Sequence, residues 1–558
     1  MGSSGVLYKC WKILLAAILA YIATISSNRT SKLLHQNNAS ILHDNSDRCK
    51  QINTSASYPY TASFPIHNKS YIPLGGYRFE EYKCGNSPYN ITAKDKQNSN
   101  EVANVRRMQV KNAMQYAWRN YKEHAFGMDE LQPTSGKGNE KWGGMAVTMI
   151  DALDTLWIMN LKDEFYEARN WIKDNLTFDS IGDVSNFETT IRSLGGLLSA
   201  YDLSRDDVFL HLATDLGKRL IKSFNSPNRL PYGVINLQTG KGHNFRRNSY
   251  DYLLAEVGTN QLEYRYLSNA TGDQSFVNKS IHVFDILQQI MPNDGLLPLK
   301  LKDSINGIEF STDHVSFGGM GDSAYEYMLK LSLQGGKKEQ RYRDMWDESV
   351  QGMHDHLVQQ SSPNGLTYIA ERKKGKLVHR FEHLTCFMSG ALALGAYTDP
   401  NDGLDSPRAR RDLKTAKALA YTCYQMYART KSGLSPEYVF FTGERDDFRI
   451  PHGSARQYIL RPEVVESLYY LNKLTGDPIY REWGWEIFQN LEKFCKAKFG
   501  YASLKDVNRP NKKMDKMETF FLAETLKYMY LLFDTDSTID ILHTHVFNTE
   551  AHPLPIFD

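Results

Sequence analysis

From about Glu101 onward the chain runs as long amphipathic segments separated only by short Gly, Asn, Asp or Pro breaks, and this unbroken helical period restricts it to helix packed on helix. One helix is expected over Met145 to Met159, where Met149, Leu153, Leu156 and Trp157 recur at spacings of three and four, and another over Phe187 to Tyr201. Further helices are expected around Ala324 to Leu333, Leu384 to Tyr397, Pro462 to Leu474 and Thr519 to Phe533, while strand signals are sparse. An internal echo supports stacked helical pairs: Leu267-Ser268-Asn269-Ala270-Thr271-Gly272-Asp273 resembles Leu471-Asn472-Lys473-Leu474-Thr475-Gly476-Asp477. In both, Gly reads as a left-handed helix stop and Asp as a cap for the next helix. No linker divides residues 101–558, so they are expected to form one large all-α domain.

The N-terminal region reads differently. Residues 1–12 are expected to be a short cytosolic tail, and the apolar run 13–25 a signal-anchor or a signal peptide, being shorter than the roughly 20 residues of a spanning helix. Residues 26–100 read as a stem rich in Asn, Ser, Tyr and Pro. Lys9 and Lys12 before the apolar run are balanced by Arg29 and Lys32 after it. Asn-x-Ser/Thr triplets begin at Asn28, Asn38, Asn53, Asn68, Asn90, Asn175, Asn269 and Asn278, all beyond that run, which favours a luminal, type II chain. Six cysteines are too few for a disulfide scaffold, and none has C-x-x-C spacing.

A formal charge of +2 gives no basic face for nucleic acid. Aromatic residues make up 12% of the chain, which suits core packing first and stacking on sugar faces second. The informative anomaly is acidic residues inside the most apolar helices. Asp151 and Asp154 lie within Met149-Ile150-Asp151-Ala152-Leu153-Asp154, and Glu524 within Phe520-Phe521-Leu522-Ala523-Glu524. Glu188 and Arg192 are four apart, as are Asp322 and Glu326, and Glu463 and Glu466 are three apart, so each pair shares a helix face. Any one pair could be a solvated salt bridge, but so many carboxylates among apolar neighbours are costly to bury without partners. A polar pocket shared with Arg192, Arg461 and His383 would resolve that cost. Glycoside cleavage needs such a pocket, with one carboxylic acid and one carboxylate. There is no G-x-S-x-G elbow, H-E-x-x-H, phosphate loop, dinucleotide fingerprint or EF-hand loop.

The segments Asn186-Phe187-Glu188-Thr189-Thr190-Ile191-Arg192, Gly321-Asp322-Ser323-Ala324-Tyr325-Glu326-Tyr327 and His383-Leu384-Thr385-Cys386-Phe387 resemble class I α-1,2-mannosidases, glycoside hydrolase family 47. So do Leu460-Arg461-Pro462-Glu463, Phe520 to Tyr528, and Phe547-Asn548-Thr549-Glu550-Ala551-His552-Pro553, in the family's order. The resemblance implies an (α/α)7 barrel of helical hairpins with a C-terminal β-hairpin plugging one end. It implies inverting, Ca2+-dependent removal of terminal α-1,2-linked mannose from high-mannose N-glycans on glycoproteins, by a monomer of the Golgi or endoplasmic reticulum membrane. The three essential acids fall on Glu188 (general acid, through a water), Glu463 (base) and Asp322 (support for one of them or for the developing cation). Thr549 would hold calcium, Phe520 would stack on sugar, and Arg192, His383, Arg461, Glu466, Glu524 and Glu550 would line the pocket. Cys386 and Cys423 would pair, leaving Cys495 a free buried thiol.

One departure bears on specificity. Endoplasmic reticulum members that remove one mannose usually have Arg two places before the essential Asp, and here Met320 stands there, which points to the Golgi-like type with looser branch choice. The alternatives are a mannose-recognising factor for degradation of misfolded glycoproteins with little turnover, and another helical-barrel hydrolase acting on different sugars.

Overall fold

The computed structural model describes Tyr82 and residues 84–86, 91–244, 251–443 and 446–557. Its main helices are α1 (Ala93–Ala125), α2 (Val147–Ile158), α3 (Lys162–Asn175), α4 (Gly195–Ser204), α5 (Asp207–Leu220), α6 (Gln261–Thr271) and α7 (Ser275–Ile290). The second half adds α8 (Asp322–Gln334), α9 (Gln340–His356), α10 (Phe387–Tyr397), α11 (Pro407–Ala428), α12 (Glu463–Thr475), α13 (Ile479–Phe494) and α14 (Leu526–Phe533). Side-chain pattern sorts them into two layers. In α10 every residue from Phe387 to Ala396 is buried, as a helix surrounded by protein requires. In α5 only the stripe Phe209, Ala213, Leu216, Gly217 and Leu220 is buried, as in a helix with one face to water.

The even-numbered helices form an inner ring. Each packs on the odd-numbered helix that follows it in the chain, and α1 covers α14. Inner neighbours touch in order, and α14 with the π-helical turn Phe521–Thr525 returns to α2, closing the (α/α)7 barrel implied by the resemblance. The two echoed segments end their helices alike. Gly272 and Gly476 cap α6 and α12 at φ of 76° and 69°, and Asp273 and Asp477 accept the amides of Ser275 and Ile479 at 2.9 and 3.0 Å.

Two expectations shift. The helical body starts before residue 101, because Thr92 and Asp95 make a reciprocal capping box at Ala93. Ahead of it, buried Tyr82 packs edge-on against Trp483 at 5.7 Å, and Cys84 is disulfide-bonded. Short hairpins are also commoner than the sequence suggested, among them Lys300–Ser304 with Gly307–Phe310 and Glu371–Lys373 with Lys376–Val378. Strands this short leave too little alternation to read.

At the C-terminus, His545–Phe547 pairs antiparallel with Pro553–Pro555 inside the ring, packing against α4, α6 and α8. Cys386 and Cys423 form a disulfide, and Cys495 is free and buried. Asn175, Asn269 and Asn278 are exposed. The apolar run 13–25 and the sequons at Asn28, Asn38, Asn53, Asn68 and Asn90 lie outside the described residues. No described helix is long and apolar enough to cross a membrane.

Candidate active site

The carboxylates gather because the inner helices start at one end of the barrel. Asp322 and Glu463 are the first residues of α8 and α12, and Glu188 closes the helical turn Asn186–Glu188 that leads through the π-helical turn Thr189–Leu194 into α4. Glu524 lies in the π-helical turn before α14, and His383 precedes the turn that enters α10. Helix N-termini leave amides unpaired and carry partial positive charge, which suits anionic side chains. Ser323 N–H accordingly donates to Asp322 Oδ1 at 2.9 Å. Two non-glycine residues just upstream of these acids are left-handed, Met320 at φ 73° and Leu460 at φ 70°. Their strain is held by hydrogen bonds from Ala255 N–H to the Met320 carbonyl (2.9 Å) and from Thr525 Oγ1 to the Leu460 carbonyl (2.6 Å).

Glu463 is held as a carboxylate. The Nδ1–H of buried His383 donates to Glu463 Oε2 at 2.6 Å, and the Tyr427 hydroxyl lies 2.7 Å from His383 Nε2. Arg461 stands 3.6 Å from Glu463 Oε1 and is itself fixed by Glu437 at 2.8 to 3.0 Å. Burial works to raise the Glu463 pKa, but the His383 hydrogen bond, with His383 and Arg461 charge behind it, brings it below the ordinary glutamate value. Asp322 is pushed the other way, to about 7, by burial and then by the carboxylates of Glu382, Glu326 and Glu463 against the opposing Ser323 amide.

Glu188 belongs to a second group, gathered around Arg192. Arg192 Nε donates to Glu188 Oε2 at 2.8 Å, and its NH1 reaches Thr519 Oγ1 at 3.1 Å and Glu550 Oε1, with Asp151 Oδ2 at 3.7 Å. The guanidinium lies 5.2 Å from the Trp142 ring and 5.7 Å from that of Phe520. Behind these groups carboxylates outnumber cations. Burial pushes Glu466 to about 8, with Lys330 opposing, and raises Glu524 and Glu550 well above the ordinary glutamate value. Thr549 stands in the turn of the C-terminal hairpin next to Glu550, and neither its hydroxyl nor its carbonyl oxygen has a hydrogen-bond partner among the described residues.

Nearly all the residues picked from the sequence meet here, but the single pocket expected for Asp151 and Asp154 divides in two. Asp154 is fully buried among Lys527, His552 and Ser199, below the Arg192 cluster, and Asp151 stands between the two groups. Several site residues escaped the sequence reading. Glu256, raised to about 7 by burial and by Glu188, lies in Leu253-Leu254-Ala255-Glu256-Val257 and carries the same signal, an acid among apolar neighbours. Tyr427, Glu437, Trp142 and Thr519 carry no such signal, because loops and helix ends bring them in from afar.

Residues 113–556 match the family described as glycosyl hydrolase family 47. The chain is 46% identical over 475 residues to a mannosyl-oligosaccharide 1,2-alpha-mannosidase of Arabidopsis thaliana, covering 85% of this chain and 82% of that protein. It is 43% identical over 463 residues to the endoplasmic reticulum mannosyl-oligosaccharide 1,2-alpha-mannosidase of Homo sapiens, covering 81% of this chain and 64% of that protein. Among solved structures, an alpha-1,2-mannosidase from Trichoderma reesei aligns with a TM-score of 0.75 at 28% identity, over 81% of this chain and 99% of that one.

Proposed function

Since the chain belongs to glycosyl hydrolase family 47, we propose that it removes terminal α-1,2-linked mannose from high-mannose N-glycans with inversion and with calcium bound at Thr549. That it is a glycoside hydrolase of the mannosyl-oligosaccharide 1,2-α-mannosidase kind is the premise. The observation that carries the mechanism is Glu463, held below its ordinary pKa and oriented by the 2.6 Å hydrogen bond from His383.

Glu463, oriented by His383, takes a proton from the water that attacks the anomeric carbon, and the leaving oxygen needs a proton from the opposite side of the bond. Glu188 supplies it through a water, with Arg192 setting its position and Asp322 facing the developing cation. A second reading, favoured by the raised pKa of Asp322 and by the pairing of Glu188 with Arg192, makes Asp322 the acid.

Calcium fits the donors present. Thr549 offers two unengaged oxygens beside buried carboxylates short of cations, and calcium takes six to eight oxygen ligands, waters included. When bound, the ion supplies a hard positive charge that grips sugar hydroxyls. The half-exposed Met320 side chain, without a guanidinium to clamp one branch, relaxes branch choice. Exposed sequons and the Cys386–Cys423 disulfide fit an endoplasmic reticulum or Golgi lumen.

The test is to incubate the protein with a high-mannose N-glycan, with and without chelator, and follow the released sugar by NMR. β-Mannose appearing first, and no release after chelation, is the expected result. α-Mannose first overturns inversion, and binding without release makes the protein a lectin. Met320→Arg should narrow branch preference, and an unchanged product pattern rejects that role.

A further inference from the structure

Asp151 and Asp154, the acids in the apolar helix α2, do no chemistry in the scheme above and are fully buried. Each faces the same histidine. His552 Nδ1 lies 2.8 Å from Asp154 Oδ2 and Nε2 lies 3.1 Å from Asp151 Oδ1, and only a doubly protonated imidazole donates at both nitrogens. Lys527 Nζ completes the group, 2.7 Å from Asp154 Oδ1 and 2.6 Å from the carbonyl of Ala551. Ser199 Oγ donates to Asp154 Oδ2 at 3.0 Å.

Such a group is a poor way to add stability, since apolar side chains of the same volume often do as well. What it adds is position. Each strand of the C-terminal hairpin has three residues, too few to fix it by pairing alone. Ala551, between Glu550 and His552, takes a left-handed φ of 60°, which contacts on both sides must hold. The fit is close, because a Cβ on Gly195 would come within 2.6 Å of Asn548 Nδ2 and 3.0 Å of His552 Cδ2. Asp151 also ties the group to the site, through Thr519 Oγ1 and at 3.7 Å from Arg192.

We propose that Asp151, Asp154 and Lys527 form an ionic clamp on His552 that sets the depth of the C-terminal hairpin, and with it the placement of Thr549 and Glu550 in the site. They are positioning residues. The consequence for calcium rests on the reading that Thr549 holds the ion, while the clamp itself is tested without metal.

The experiment compares wild type, Asp154→Asn and the paired variant Asp154→Leu with Lys527→Met, which replaces a buried ion pair by apolar groups and folds even where the single variant does not. Hydrogen exchange on calcium-free protein reads the hairpin, and titration of chelator-treated protein with CaCl2 reads the site. Expected are faster exchange confined to residues 543–557, unchanged exchange in α10 and α12, and calcium affinity weakened roughly 10–100-fold. Hairpin exchange equal to wild type, or acceleration spread through the whole barrel, overturns the clamp. Faster hairpin exchange in a protein whose wild type takes up no calcium supports the clamp and refutes the calcium reading of Thr549.

Discussion

Two carboxylate clusters occupy the barrel interior, and they differ in how their charge is balanced. At the helix N-termini, Asp322 has one backbone amide and several carboxylates around it, and is driven to about 7. Around His552, Asp154 is paired with Lys527 and His552, and these cations overcome full burial to hold its pKa below the ordinary aspartate value. Both arise from acids set in apolar helices. The difference teaches that such an acid keeps its proton to higher pH where its cations are withheld and gives it up where they are supplied.

Removing the base should affect only the first cluster. Glu463→Gln is expected to lower kcat roughly 10³-fold while leaving glycan affinity within about threefold, measured by NMR hydrolysis assays and calorimetry. A comparable loss of binding would mean that Glu463 acts mainly as a ligand for sugar. The second cluster should answer in stability. Lys527→Met takes one of its two cations from buried Asp154 and should cost about 3–5 kcal/mol in urea unfolding, and the apolar pair Asp154→Leu with Lys527→Met should cost less than that single change. Equal costs would show that the ions are not coupled.

The pH profile sharpens the contrast. Asp322 is protonated below about 7 and loses its proton as pH rises through that value, so kcat/KM should fall on the alkaline side if Asp322 is the acid and rise there if its carboxylate faces the developing cation. If Asp322→Asn leaves that alkaline limb where it was, the limb belongs to another group. Smallest is Tyr427→Phe, which removes one hydrogen bond from His383 and should lower kcat/KM several-fold, about 1 kcal/mol, with unfolding changed by a similar amount.

Much of this was legible beforehand. Helical period and the paired Gly-Asp stops gave the barrel its repeating unit, since both are local properties of backbone and side-chain spacing. Glu188, Asp322 and Glu463 belong to a larger set of acids among apolar neighbours that are costly to bury without partners, and it is the resemblance to family 47 that singles those three out. Glu437 and Tyr427 were not legible, because nothing in their own segments distinguishes a residue that holds Arg461 or His383 from any surface Glu or core Tyr. The start of α1 is not legible because its cap lies within a polar stretch that reads as stem.

The sequence alone therefore determined the helical class and the family, through local period and motif, and marked the acids as candidates. Which acid keeps its proton, and which is locked in a salt bridge, was decided only by tertiary structure. Lys527 and His552 reach Asp154 from sites 373 or more residues away in the chain, and charge balance depends on distance in space rather than position in sequence.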